Sequence, residues 1–191
     1  MKLIFLDGSG RQGSYNRQLL QAFETQLRAL EFVFEAEYIS PSSHRVPNLI
    51  PNEDCPKSHL ETCDFIRHAA MRAEGFVIAS PEYNGGPTGG LKNLIDWMTR
   101  PNTAYPKGNP FVMKPTVLLS ASTGALGGIK GLQVLRLIMG HLRALVLPEQ
   151  VALPDASQAF NDRGDLQPGL PADLVKSAAQ QFTEYLNTHK S

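Results

Sequence analysis

The sequence predicts an α/β fold: a doubly wound sheet of five parallel strands with helices on both faces. Two observations carry that expectation. Five short apolar runs alternate with segments whose apolar residues recur at helical spacing, the pattern of successive βαβ units. Glycine-rich loops follow the first, third and fourth of those runs directly. In an open parallel sheet, ligands bind outside the carboxyl ends of the strands where the winding reverses, so these loops stand where a site belongs. The 191 residues suit one domain, and no stretch reads as a linker, so residues 1–191 are taken as a single unit.

The first strand is Lys2–Leu6, an apolar run ending at Asp7-Gly8. Asn16–Glu31 follows as an amphipathic helix, with Leu19, Leu20, Phe23, Leu27 and Leu30 on one face. Val33–Ile39 reads as the second strand, and the Pro-, Ser- and Asn-rich stretch Ser40–Pro56 as a loop. Leu60–Arg72 is the next helix, with Leu60, Cys63, Ile66 and Ala70 on its apolar side. Gly75–Ala79 is the third strand and leads into the helix Leu91–Thr99. Pro115 opens the fourth strand, Thr116–Ser120, at a position where a missing N–H is tolerated. Leu132–Leu142 is helical, Ala144–Val151 is the fifth strand, and Pro171–Lys190 is a closing helix. Right-handed crossovers leave few ways to connect these pieces. The arrangement expected is a flavodoxin-like sheet of order 2-1-3-4-5.

Composition excludes several function classes. Lys+Arg and Asp+Glu both number 18, so there is no basic field for nucleic acid. No segment approaches the roughly 18 apolar residues of a membrane span, and the apolar start is too short for a signal peptide. The two cysteines, Cys55 and Cys63, fit neither a CxxC motif nor a zinc site and are read as free thiols of a cytoplasmic protein. The five histidines are scattered, with no metal-ligand spacing.

The loops carry the chemistry. Gly8-Ser9-Gly10-Arg11-Gln12-Gly13 spells G-x-G-x-x-G between a strand and a helix, a dinucleotide fingerprint by form. The acid that should end the second strand is missing, since that strand ends in Ile39-Ser40. Ser9, Arg11, Ser14 and Asn16 instead surround the turn with hydroxyls, a guanidinium and an amide. A phosphate monoester, with about −1.5 to −2 charge and three acceptor oxygens, needs such extra donors beyond the helix N-terminus. The second loop, SPEYNGGPTGG (80–90), places four glycines and two prolines after the third strand, where bare backbone can approach a ligand closely. The third is SASTGALGGIKG (120–131).

GSGRQGSYNR (8–17) resembles the G-S-x-R-x-x-S-x-N phosphate loop of the NADPH-dependent FMN reductases and their flavodoxin-like quinone, azo-dye and chromate reductase relatives. PEYNGGPTGGLKNLIDW (81–97) resembles that family's P-E-Y-N…L-K-N-x-I-D-W segment, and SASTGALGG (120–128) a looser S-x-G-x-x-G-G pattern. The likeness runs from residue 1 to about residue 152; the remainder matches only in being a tail with a closing helix. One departure is Gly85-Gly86-Pro87-Thr88-Gly89, where relatives often carry a serine and then Pro-Gly.

The resemblance implies an FMN-dependent NAD(P)H oxidoreductase. NADPH or NADH would donate a hydride to bound FMN, which would reduce a small planar acceptor such as a quinone, azo compound or flavin. It places the phosphate among Ser9, Arg11, Ser14, Tyr15 and Asn16, and the ring system against Pro81, Glu82, Tyr83 and Asn84. Ser122, Thr123 and Gly124 would meet the charge of the reduced ring. The flavin carries the chemistry, so no catalytic side chain and no metal are expected. A homodimer or homotetramer is expected too, with Tyr83, Leu91, Ile95, Trp97 and Met98 supplying an apolar face for a twin. The alternatives are a flavodoxin-type electron carrier, against which the balanced charge and Arg11 speak, and a dehydrogenase binding NAD(P) alone. A protein that kept the fold without flavin is a third, disfavoured by the intact phosphate loop.

Overall fold

The computed structural model describes residues 1–50 and 55–189. Residues 51–54 of the expected loop and Lys190 of the expected last helix lie outside that range. The elements are β1 (Lys2–Asp7), α1 (Tyr15–Ala29), β2 (Glu35–Ile39), α2 (Leu60–Arg72, preceded by the 3-10 turn Lys57–His59) and β3 (Gly75–Ala79). They continue with α3 (Gly89–Met98), β4 (Pro115–Ala121), α4 (Ile129–His141), β5 (Leu145–Leu153), α5 (Ala156–Ala159) and α6 (Leu170–Thr188). The sheet order is β2-β1-β3-β4-β5 with all neighbours parallel, as the sequence predicts.

Successive strand residues point to opposite faces, and the core divides accordingly. Leu3, Phe5, Val77 and Val117 pack with Leu19, Phe23, Leu27 of α1 and Phe182 of α6. Ile4, Leu6, Phe76, Ile78 and Leu118 pack with Ile66 of α2, Leu91, Leu94 and Trp97 of α3, and Leu132 of α4. Strands buried on both faces read as continuous apolar runs, which is why β1, β3 and β4 are legible.

Where the boundaries differ from the sequence reading, a cap or a register explains it. The edge strand β2 begins at Glu35, because Val33 is solvent-exposed while Phe32 and Phe34 turn into the core. Helix α3 begins before its apolar pattern because Thr88 caps it, its Oγ1 accepting from Leu91 N–H at 3.1 Å. Helix α4 begins at Ile129 behind Gly128, whose φ of 84° a side chain rarely adopts and whose Cβ would strike Ser120 Oγ. β5 runs on to Leu153 by pairing with Ala121, past a register shift between Thr116 and Leu118. Leu60 is exposed at the start of α2, so the buried side of that helix is Cys63, Ile66 and Ala70. The face expected to pack on a twin is also corrected. Leu91, Ile95, Trp97 and Met98 are all core residues, and Trp97 Nε1 donates to the Pro47 carbonyl at 2.7 Å.

At the end of α2, Lys114 Nζ donates to the carbonyls of Ala70 (3.1 Å) and Met71 (2.9 Å), satisfying groups the helix leaves open. Burial pulls this ammonium from its ordinary 10.5 down to about 8. Between those values the unfolded chain binds more protons than the native one, so stability rises with pH across the window. The wild-type urea midpoint should therefore climb from pH 8 to 10 relative to Lys114→Gln. Parallel midpoints for the two proteins would show that Lys114 keeps an unperturbed charge.

Candidate functional site

Three loops at the carboxyl end of the sheet are stitched together by long-range bonds. The loop after β1 turns immediately: Gly8 N–H donates to Ala79 O at 2.7 Å, and Ser9 N–H donates to the Asp7 carboxylate at 2.9 Å. Asp7 is buried, and burial pushes its carboxyl above the ordinary range against the pull of Ser9 N–H and Arg17. Arg17 lies 3.6 Å from that carboxylate and over the Tyr38 ring, so it is committed to the scaffold. Ser14 caps α1, its Oγ accepting from Asn16 and Arg17 N–H, and Ser9 Oγ accepts from Arg11 N–H at 3.2 Å.

What remains open in this loop is its backbone. Among the described residues, the N–H groups of Gly10, Gln12, Gly13, Ser14 and Tyr15 have no acceptor. A Cβ added at Gly10 or Gly13 would meet nothing within 4 Å, so the loop faces open space. Arg11 is exposed and has no carboxylate partner among the described residues. A fifteen-residue helix thus starts under several free donors, the exposed guanidinium of Arg11, which lies over the Tyr15 ring, and the positive end of its dipole. The adjoining cleft, about 380 Å³, is lined by residues 10–14, Arg17, Gln18, Gln21 and the serines at 40, 42 and 43, with Asp7, whose carboxylate is engaged by Ser9 N–H and Arg17, at its base. This chemistry fits a phosphate monoester.

The loop after β3 is a tight hairpin. Tyr83 and Gly86 exchange two backbone bonds of 2.9 and 3.1 Å. The two residues between them, Asn84 and Gly85, have φ of 51° and 78°, as a type I′ turn requires. Tyr83 and Asn84 are exposed at its tip, and nothing lies within 4 Å of the Cβ positions of Gly85 or Gly89. Pro81 is half-buried, and Glu82 turns toward α4, where its carboxylate accepts from Gly131 N–H at 2.9 Å. At the departure from the resembled pattern, Thr88 does two things. It caps α3, and its hydroxyl donates to Gly8 O at 2.6 Å, tying this loop to the first.

In the loop after β4, Ser122 Oγ accepts from Gly124 N–H at 3.1 Å, so that donor is spent within the turn. Thr123 and Gly124 are exposed, and Thr123 N–H has no acceptor among the described residues. Asn16 braces this loop against the first: its Nδ2 donates to Ala121 O at 2.9 Å and its Oδ1 accepts from Ala121 N–H at 3.0 Å.

The structure thus brings the expected residues to one end of the sheet but divides their labour. Arg11, Tyr83, Asn84 and Thr123 are open; Ser14, Asn16 and Glu82 spend their side chains on the frame; Tyr15 stacks on Phe160 of the tail at 6.0 Å. Sequence reasoning missed Asp7 and Thr88 as organisers of the loops, although Asp7 directly before Gly8 was a visible signal. Among the described residues, no three His, Cys, Asp or Glu side chains gather as a metal would need, and no helix is long and apolar enough to cross a membrane.

Comparison with known proteins identifies a family. Residues 1–158 match the family described as NADPH-dependent FMN reductase. The chain is 25% identical over 190 residues to an NADPH azoreductase of Bacillus, covering 100% of this chain and 97% of that protein. It is 31% identical over 156 residues to a quinone reductase of Escherichia coli, covering 77% and 73%. Among solved structures, the NAD(P)H:(acceptor) oxidoreductase FerB of Paracoccus denitrificans superposes with a TM-score of 0.81 at 19% identity, covering 98% of each chain, a likeness of fold. With the family match spanning the sheet and all three loops, the chain belongs to the NADPH-dependent FMN reductase family.

Proposed function

We propose that this chain, acting as one FMN-binding unit, moves a hydride from NADPH or NADH to bound FMN and on to a small planar acceptor, a quinone, azo compound or flavin. One observation supports it above the rest: the free N–H groups of residues 10 and 12–15 with Arg11 beside them, a donor set matched to a terminal phosphate. When bound, FMN would supply the two-electron hydride chemistry. The protein's part is to bind and orient. Arg11, the free backbone N–H groups of the loop and the hydroxyl hydrogens of Ser9 and Ser14, whose oxygens already accept from the backbone, would hold the phosphate, and the hairpin Tyr83–Gly86 would meet the ring. The open positions at Gly85 and Gly89 leave one face without side chains. Thr123 N–H offers a dipole to the anionic ring.

Chromatography of the cofactor released from purified protein should yield FMN, and anaerobic addition of NAD(P)H should bleach the yellow colour with no partner protein. Recovered FAD, or no flavin affinity, overturns the reading; bleaching only with a partner favours an electron carrier. One exposed face admits one planar partner at a time, so the oxidised nicotinamide leaves before the acceptor enters. Parallel double-reciprocal lines are the expected outcome, and intersecting lines would contradict it.

The same reading carries a homodimer or homotetramer in the cytoplasm, where two free thiols suit the redox poise. With the α3 residues buried, the apolar surface offered to a twin is Val134 and Leu137, one turn apart on α4, with Leu126 just before it. Light scattering at micromolar concentration should report a multiple of 20.9 kDa. Leu137→Lys should shift it toward the monomer.

A further inference from the structure

Away from the three loops, Cys55 and Cys63 bring their Sγ atoms to 3.1 Å from each other. Cys63 lies in the first turn of α2 and is buried, whereas Cys55, just before the 3-10 turn that leads into that helix, is half-buried. Both line a cavity of about 990 Å³ between α2, the end of α3 and residues 100–105. This cavity does not reach the loops at the carboxyl end of the sheet. Lys57, Arg67 and Arg100 share its walls with the carboxylate of Asp64. Arg67 is almost wholly buried, lies 3.8 Å from Asp64, and its Nε has no acceptor among the described residues. Two thiols in contact, one of them reachable through an open cavity, are arranged as an oxidisable pair. The thiolate is the form of a cysteine that reacts.

We propose that Cys55 and Cys63 form a modification site, a dithiol that a hydroperoxide converts to an intramolecular disulfide. The Cys55 thiolate attacks one peroxide oxygen, the O–O bond breaks, and a sulfenic acid forms on Cys55. The leaving hydroxide takes up the proton that Cys55 released, giving water. The Cys63 sulfur then displaces the hydroxyl, the S–S bond forms, and a second water leaves with the Cys63 proton. Two thiols lose two electrons, and hydrogen peroxide gains them as two waters. The order of attack follows access, since Cys55 faces the cavity and Cys63 is buried. Burial, reinforced by Cys55, also holds the Cys63 thiol well above its ordinary range, so Cys63 stays protonated until the sulfenic acid is beside it. The ring closed by residues eight apart is short, and the bond pins the chain entering α2 to the first turn of that helix. A thiol reductant reverses it. The chemistry needs no bound cofactor and stands apart from the flavin reading.

The test uses the full chain, treated with hydrogen peroxide, quenched, and alkylated in denaturant. Before treatment both thiols should take the label. Afterwards neither should, the intact mass should fall by two hydrogens, and peptide mapping should link Cys55 to Cys63; dithiothreitol should restore both labels. Cys63→Ser should stop at a dimedone-reactive sulfenic acid on Cys55, and Cys55→Ser should leave Cys63 unmodified on the same timescale. The wild-type mass and label count decide the matter even if a variant fails to fold. Two alkylatable thiols after treatment, oxygen added to Cys55 without loss of the Cys63 label, or disulfides only between chains would each overturn the proposal.

Discussion

Asn16→Ala should destabilise the protein strongly, although Asn16 lies in a stretch that reads as a ligand site. Asn16 is buried, and its amide both donates to and accepts from Ala121, the last residue of β4. Alanine removes both partners at once and leaves a buried N–H and a buried carbonyl of Ala121 without a protein partner. Each orphaned group costs about 1–3 kcal/mol, so the pair costs about 2–6 kcal/mol. That is a large share of the roughly 5–15 kcal/mol that holds a domain folded. Asn16→Asp keeps the acceptor but sets a carboxylate against the Ala121 carbonyl, and it should be no better than alanine. Urea denaturation followed by Trp97 fluorescence measures the loss. A change below about 0.5 kcal/mol, the size expected of a surface substitution, would mean that the two loops are not held together by this amide.

Arg11→Ala should do the opposite, weakening FMN binding while leaving the fold alone. Arg11 is exposed, opens no cavity when truncated, and has no carboxylate partner among the described residues. Surface changes of this kind stay within about 0.5 kcal/mol of wild-type stability. A charge-assisted bond to phosphate contributes about 1.5–3 kcal/mol. At about 1.4 kcal/mol per tenfold, each lost bond weakens FMN roughly 10- to 150-fold. Riboflavin, which lacks the phosphate, should bind mutant and wild type about equally. Paired fluorescence-quench titrations with FMN and riboflavin separate the two cases. Equal loss of both ligands would show that Arg11 does not anchor the phosphate.

These two residues also mark how far the sequence could be read. Both sit in the GSGRQGSYNR stretch, and by residue type both look like ligands. Arg11 stays open to solvent; Asn16 points inward to a strand 105 residues away along the chain. Nothing within ten residues of Asn16 announces Ala121 as its partner. Glu82 is similar, since it reads as part of a flavin loop and is found bonded to Gly131 at the start of α4. Trp97 and Met98 went the other way: as a candidate subunit face they were plausible, yet α2 and the chain near Pro47 already cover that side.

What the sequence determined by itself is what short-range physics sets. Continuous apolar runs made buried parallel strands, the 3.6-residue period made the helices, and Ser14 was a hydroxyl residue standing where a cap was needed. The strand order followed from right-handed crossovers, and the glycine-rich loops after β1, β3 and β4 stand together at the carboxyl end of that sheet. Only the tertiary structure decided which polar side chains stay open and which hold the loops together. A buried amide or carboxylate must find a partner, and that partner is chosen by which backbone groups the folded sheet leaves unpaired nearby, a fact that no local window of sequence contains.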